Sequence, residues 1–580
     1  MNNFRILCLC LLSLLFSVSC TIDEPSTHKP NVLLILIDDA GWGDYGFHGN
    51  ELVQTPVLDL LARQSVEIER FYVSPVCAPT RASILTGRNH LNTGTTWVTH
   101  RKEVMRSEEH TIAEILKDEG YRTGLFGKWH NGRQYPNDPN GQGFDRFYGF
   151  KEGHLNNYFD ASLSYNQENI SSVGYVPDLI TDSAIAFMNE ASAPFFAMIT
   201  FNTPHSPFQV PDAYFEKYQE MGLSDKNACI YGMMENVDDN IGKLLQTLEE
   251  HDQSKETIVM FLSDNGPNGS DRYNGVLKGQ KGQVDEGGVR SAFLLRYPAG
   301  DWSSKRISKN TFGAHIDILP TILELTGISI PEDVDGRSMV SMIKGAVDDD
   351  RFFYTHQYSG KFDTIPGAIR SQQYLLTVTL TDTALYDLYQ DEAQQEDLSS
   401  ENPELVNEYL NKYEDWFIKT TSKGIDPELI QTGHEGIPMI DFPVQEANQI
   451  LKARYKGGFG WANDYLVDWE DESLVSWNFM STQSQKYQLE VFLSCSDSQG
   501  LLSLVIDGFP YSTHINLAIP KRLIVSPDRV VRGEVYEFKW RSVLLGAIEI
   551  PSGNHRMYLK SSGLNEVELK SVRLSLIAAP

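Results

Sequence analysis

At 580 residues the chain exceeds what one hydrophobic core accommodates, so two or three domains are expected. With 41% hydrophobic and 22% charged residues its composition is globular rather than disordered. A formal charge of −29 excludes nucleic acid as a partner, which needs a basic face. It also requires any anion site to be locally basic or to contain a metal.

Arg5 precedes an apolar run from Ile6 to Val18, too short to span a bilayer and shaped like an export signal. The run closes at Ser17-Val18-Ser19-Cys20, which is similar to a bacterial lipoprotein cleavage box, although Ser17 stands where Leu is usual. On this reading residues 1–19 are a signal peptide, Cys20 takes lipid, and residues 20–29 form a polar leash. The protein would then be tethered to the cell-envelope membrane, at the outer membrane or in the periplasm, without spanning it. A plain cleaved signal and a soluble periplasmic protein is the alternative. Of six cysteines, Cys8 and Cys10 leave with the signal, and Cys229 and Cys495 fall in different domains, so no disulfide framework is expected.

Asn31 to Ile37 is a continuous apolar run ending in Asp38-Asp39. Runs without alternation mark strands buried on both faces, as in a parallel sheet covered by helices. Pro56 to Val66 reads as a helix, as does Thr111 to Leu116, stopped by Gly120. Strands at Tyr121–Phe126, Phe195–Phe201 and Thr257–Leu262 deliver Gly127-Lys128-Trp129-His130, Pro204-His205 and Asp264-Asn265. Between them lie helices at Thr181–Glu190 and around Ile230, Met234, Val237, Ile241, Leu245 and Leu248. Each polar cluster falls at the carboxyl end of a predicted buried strand, the edge at which open α/β sheets bind ligands. One shared active site follows.

Beyond residue 345 the pattern changes. Tyr374–Leu376 and Ala384–Leu388 predict a small antiparallel sheet, followed by a helix from Glu404 to Trp416. A Gly/Pro-punctuated linker spans residues 421–438. In residues 439–580, Tyr487, Leu489, Val491 and Leu493 alternate, and short runs recur at Leu501–Ile506 and Met557–Leu559, predicting an antiparallel β-sandwich. The stretch Ile548 to His555 resembles the closing hairpin of jelly-roll carbohydrate-binding modules. Sugar binding and simple packing on the catalytic domain both remain open for this part.

The most informative string is Ser74-Pro75-Val76-Cys77-Ala78-Pro79-Thr80-Arg81, continuing to Thr86-Gly87-Arg88. It sets a lone thiol at the start of a helix, where unpaired N–H groups favour negative charge, with Arg81 one turn on. Asp38, Asp39, Asp264 and Asn265 offer oxygen ligands suited to a hard cation, for which Ca²⁺ is the natural choice.

The Cys77 string resembles the signature of type I sulfatases, members of the alkaline-phosphatase-like superfamily, Cys-x-Pro-Ser/Thr-Arg followed by Thr-Gly-Arg. Further blocks match in order: Gly-Lys-Trp-His at Lys128 and His130, Thr-Pro-His-Ser-Pro at His205, and the segment from Lys281 to Arg290. The resemblance covers about Pro30 to Trp416, giving a catalytic domain at residues 30–345 and a C-terminal subdomain at 346–420. It implies that a formylglycine-generating maturation enzyme oxidises Cys77 to formylglycine (3-oxoalanine). It implies that Asp38, Asp39, Asp264, Asn265 and residue 77 hold calcium. It further implies roles for Arg81, Lys128, His130, His205 and Lys281 in binding and turning over a sulfate ester, while Arg88 and Arg290 brace the site. The substrate expected from the export signal and the appended sandwich is a sulfated polysaccharide, such as ulvan or a galactan, or its oligosaccharides. His100, Arg101, Arg133, His154, Asn157 and Tyr158 are candidates for choosing the sugar. A zinc phosphatase of the related superfamily is the rival, disfavoured by Asn265 where such enzymes place a histidine. A binding protein with a relic site is the second rival.

Overall fold

The computed structural model describes residues 29–577 apart from 191–193, 270, 301, 309, 347–349 and 497–498. The proposed signal, leash and Cys20 lie outside the described residues. Among the described residues no helix is long and apolar enough to cross a membrane.

The catalytic part is built on a ten-stranded sheet. Its centre is β1 (Asn31–Asp38), flanked in parallel by β3 (Phe195–Pro204) and β4 (Thr257–Ser263), with β2 (Arg122–Lys128) parallel to β3. Strand Phe293–Arg296 on one side and strand Ser162–Tyr165 on the other run antiparallel to their neighbours, and the site lies at the parallel centre between them. Every residue of β1, β3 and β4 is buried. The unbroken apolar runs have a simple cause: Leu33, Ile35 and Ile37 point into one core and Val32, Leu34 and Leu36 into the other. The first core is closed by helices Val176–Asn189 and α2 (Asp225–Glu250), the second by α1 (Cys77–Thr86), Ile112–Asp118 and Ile318–Thr326.

The predicted elements shift at their ends for local reasons. Val66, expected to close a helix, opens strand Val66–Ile68. The helix expected from Thr181 begins at Val176, with Pro177 in its first turn. Thr111 is the cap rather than the first turn of its helix: its hydroxyl accepts from the Glu114 N–H, and Glu114 accepts from the Thr111 N–H.

A four-stranded antiparallel sheet, from Phe353–His356 to Thr383–Asp387, packs against helix Pro403–Thr420 through Tyr409, Tyr413 and Trp416. The closing domain is a sandwich of two six-stranded sheets around Trp477, Tyr487, Leu489, Val491 and Leu493. Two expectations are corrected here. The stretch read as a linker already holds strand Ile430–Thr432, which pairs with Leu474–Ser481 in the first sheet. The stretch Ile548 to His555 is no hairpin: strands Arg541–Ile550 and Gly553–Ser562 lie in opposite sheets, and Pro551-Ser552 carries the chain across. Cys77, Cys229 and Cys495 are all buried.

Candidate active site

The carboxyl ends of β1, β2, β3 and β4 converge on the N-terminus of α1. Register places Ile37 opposite Ser263, so Asp38-Asp39 and Asp264-Asn265 emerge side by side. Asp39 and His130 both adopt left-handed backbone (φ 69° and 70°), a conformation costly outside glycine and concentrated at functional sites. Cys77 is the first residue of α1, and Pro79 sits in its first turn, where no N–H is needed.

Each cation is held by a carboxylate from another strand end. Lys128 Nζ donates to Asp38 Oδ2 at 2.7 Å, and Arg81 donates through Nε and an NH₂ group to Asp264 Oδ2 at 3.0 and 2.7 Å. Lys281 Nζ lies 2.6 Å from Asp39 Oδ1, which also accepts from Asn265 Nδ2 at 2.8 Å. His205 Nε2 stands 3.8 Å from Asp39 Oδ2. The Cys77 Sγ is 3.2 Å from His130 Nδ1, whose Nε2 meets the Val98 carbonyl at 2.9 Å. Gly153 makes room for that imidazole, since a Cβ there would lie 2.0 Å from His130 Nε2.

Burial dominates the protonation of these groups. It pushes the Cys77 thiol up, with Lys128 and Lys281 opposing. It pushes His130 well below its usual range, helped by Lys128, and lowers His205 against the pull of Asp39. Burial and the neighbouring Asp38 raise the Asp264 carboxyl to about 6. Burial alone would raise Asp39, but Lys281, His205 and Lys128 hold it well below the carboxylate range.

Three buried oxygens here accept no hydrogen bond: Asp38 Oδ1, Asp39 Oδ2 and Asn265 Oδ1. Unpaired buried acceptors are costly and call for a partner. Ligand atoms of Asp38, Cys77 and Asp264 also lie within 4.8 Å of one another. The donors are rich in carboxylate and amide oxygen, so the set fits a hard cation.

Above this floor opens a cleft of about 290 Å³ lined by His130, His154, His205 and Lys281, together with Trp97, Trp461 and Glu534. Of the residues expected to choose the sugar, His154 lies here. His100 instead holds the backbone of Phe459, and Arg101 pairs with Glu446 at 2.9 Å, both between domains. Arg133 pairs with Glu152 at 2.6 Å. Asn157 donates to Glu537 of the sandwich at 3.1 Å, and the Tyr158 hydroxyl donates to backbone carbonyls of residues 202, 205 and 206. Arg88 pairs with Glu109 at 2.7 Å and Arg290 with Glu392. Trp97, Gly153, Trp461 and Glu534 escaped the sequence reading because they occupy loops that carry no periodicity.

The family model described as "Sulfatase" matches residues 30–328, and that for "N-sulphoglucosamine sulphohydrolase, C-terminal" matches 280–415. The mouse N-acetylgalactosamine-6-sulfatase is 31% identical over 368 residues, 56% of this chain and 68% of that protein. An ulvan-active sulfatase of Formosa agariphila is 30% identical over 392 residues, 63% of this chain and 75% of that protein. The crystal structure of Ps i-CgsB in complex with k-i-k-neocarrahexaose superposes with a TM-score of 0.64 at 27% identity, over 69% of this chain and 95% of that one. The phosphonate monoester hydrolase of Agrobacterium radiobacter shares the fold alone, at a TM-score of 0.51 and 19% identity over 68% of this chain and 96% of that one. With the matched family spanning the whole ten-stranded sheet and every strand end that meets at Cys77, the chain belongs to the sulfatase family of the alkaline-phosphatase-like fold and is a sulfuric ester hydrolase.

Proposed function

We propose that this chain is a calcium-dependent sulfatase that removes sulfate from a sulfated polysaccharide or its oligosaccharides, with formylglycine at residue 77 as nucleophile. The observation that carries the reading is the thiol at a helix N-terminus, 3.2 Å from His130 and beside three unsatisfied buried oxygens. Asp38, Asp39, Asp264 and Asn265, with residue 77, would hold the calcium. When bound it supplies positive charge to a sulfate oxygen.

The side chains then divide the work. The hydrated aldehyde at residue 77 presents two hydroxyls, and Arg81 holds Asp264 and faces the same helix start. One hydroxyl passes its proton to the adjacent Asp264 as its oxygen attacks sulfur, and the ester S–O bond breaks as His205, with Lys281 close by, gives a proton to the leaving sugar oxygen. Lys128 and Lys281 offset charge that develops on the sulfuryl oxygens. His130 takes the proton of the second hydroxyl, sulfate leaves, and the aldehyde returns. A thiol would offer no second hydroxyl to drive that release.

Two similar proteins are named for N-acetylgalactosamine 6-sulfate and ulvan, and a third was solved with a neocarrahexaose, which supports a sulfated glycan substrate. Export through the N-terminal signal, with lipid on Cys20, suits an enzyme that meets polysaccharide outside the cytoplasm. The test is sulfate release from a panel of sulfated glycan oligosaccharides by protein produced with a formylglycine-generating enzyme. Release that disappears on chelation is expected. Full activity with metal shown to be absent would overturn the calcium assignment, and an unconverted but active residue 77 would overturn the nucleophile.

A further inference from the structure

The sandwich does more than pack on the sulfatase domain. Strands Arg522–Leu523 and Phe538–Lys539 pair, and the long loop between them lies along the catalytic domain as a strap. Gln209 Nε2 donates to Ser526 and Asp528, the Arg529 N–H donates to the Phe208 carbonyl at 3.0 Å, and Arg529 stacks over Phe215. At the end of the strap, the Ser206 hydroxyl donates to Glu534 at 2.7 Å. Ser206 is the neighbour of His205, so the strap delivers a carboxylate to the rim of the reaction centre from 328 residues away. A second loop is pinned beside it: Thr99 Oγ1 donates to the Gly460 carbonyl at 2.9 Å, which sets Trp461 over the cleft, stacked on Phe459 at 4.8 Å.

The cleft therefore has two chemically different parts. The catalytic domain contributes Lys281, His130 and His205, which suit one anion. The sandwich contributes the exposed indole of Trp461 and, in Glu534, the one carboxylate among the described lining residues. Nearby His154 and His205, and the Ser206 hydroxyl, hold Glu534 below its usual pKa against the effect of burial, so it stays charged at neutral pH. An aromatic face suits the apolar face of a sugar ring, and a carboxylate accepts hydrogen bonds from sugar hydroxyls. The same carboxylate repels a second anion held in a cleft of restricted dielectric.

We propose that Trp461 and Glu534 of the C-terminal sandwich form the subsite for the sugar next to the scissile sulfate, and that this subsite takes an uncharged, hydroxyl-bearing residue and rejects a uronate or a second sulfate. The inference rests on the sulfatase reading above and deepens it, by moving part of the substrate choice outside the domain that the family model covers.

The test compares two sulfated disaccharides of one backbone, identical except that the neighbouring sugar carries a hydroxymethyl group in one and a carboxylate in the other. Unaltered enzyme should favour the neutral form in kcat/KM by at least about tenfold, the scale of one discriminating charge contact. Glu534→Gln, which keeps shape and an acceptor, should shrink that preference at least fivefold. Trp461→Ala, at an exposed site, should raise KM for the neutral disaccharide far more than it lowers kcat. An unmoved preference in Glu534→Gln together with an unmoved KM in Trp461→Ala overturns the proposal. So does a preference for the uronate in the unaltered enzyme. A small aryl sulfate, assayed on unaltered enzyme, separates the failures. Its hydrolysis with an unmoved preference overturns the subsite alone, whereas no release from any ester overturns the sulfatase reading and the subsite with it.

Discussion

The floor and the outer wall of the cleft are built by opposite rules. On the floor each cation is gripped by a carboxylate at a strand end, and all of these groups but the half-buried Lys281 are buried: Lys128 by Asp38, Arg81 by Asp264, Lys281 by Asp39. Such pairs fix atoms tightly and tolerate no loss of one partner. On the wall, Trp461 is 38% exposed and Glu534 partly so, and both come from loops set in place by docking between domains. Reaction chemistry is thus invested in rigid sheet ends, and substrate choice in parts that can change without disturbing it.

Removing the nucleophile is the sharpest way to break this division. Sulfate release by Cys77→Ala should fall by about 10⁴-fold or more, the scale seen when a group central to covalent catalysis is deleted. A loss below tenfold, read by ion chromatography of released sulfate, would remove residue 77 from the chemistry. The next effect tests what holds the wall in place. Arg101→Ala leaves Glu446, 4% exposed, without its 2.9 Å partner between domains. Denaturant unfolding should show a loss of about 3 kcal/mol, as for other broken buried pairs. An unchanged midpoint would mean that the domains dock without it.

Acid should weaken the packing of the small antiparallel sheet on the catalytic domain. The rings of His90 and His356, 6.1 Å apart, are buried, and burial lowers them to about 3 and about 4. Below pH of about 6.5 the unfolded chain binds protons on these rings while the folded chain does not, so stability is full at pH 7 and falls as pH drops. The loss at pH 5 is roughly 2 kcal/mol per ring. Urea midpoints at the two pH values should show it, and His356→Asn should reduce it. The smallest effect is local. Thr111→Ala removes a capping box remote from the sandwich and should cost about 1 kcal/mol, seen as a lower Tm.

How legible each region was follows from the same division. The four central strands could be read because two-sided burial writes them as unbroken apolar runs, and the floor because its side chains sit where those runs end. The family resemblance then supplied roles for Cys77, His130 and Lys281 that spacing alone does not give. The wall was not legible. Glu534 sits in a loop without periodicity, and its significance depends on a hydrogen bond to Ser206 across the whole chain. His100 and Arg101 looked like sugar contacts because they are polar residues between motifs, yet their left-handed backbone (φ 60° and 62°) turns them toward the sandwich. The crossing at Pro551-Ser552 was misread because two strands joined by a short turn usually pair with each other, and here each finds its partners in a different sheet.

The thiol of Cys77 is 2% exposed, and the strap that helps to close the cleft above it lies far downstream in the chain. If residue 77 is converted to formylglycine as proposed, the enzyme that oxidises it would have to work on the still-open chain. Docking of the sandwich would then act as a deadline, after which an unconverted molecule is sealed with the wrong atom at its centre.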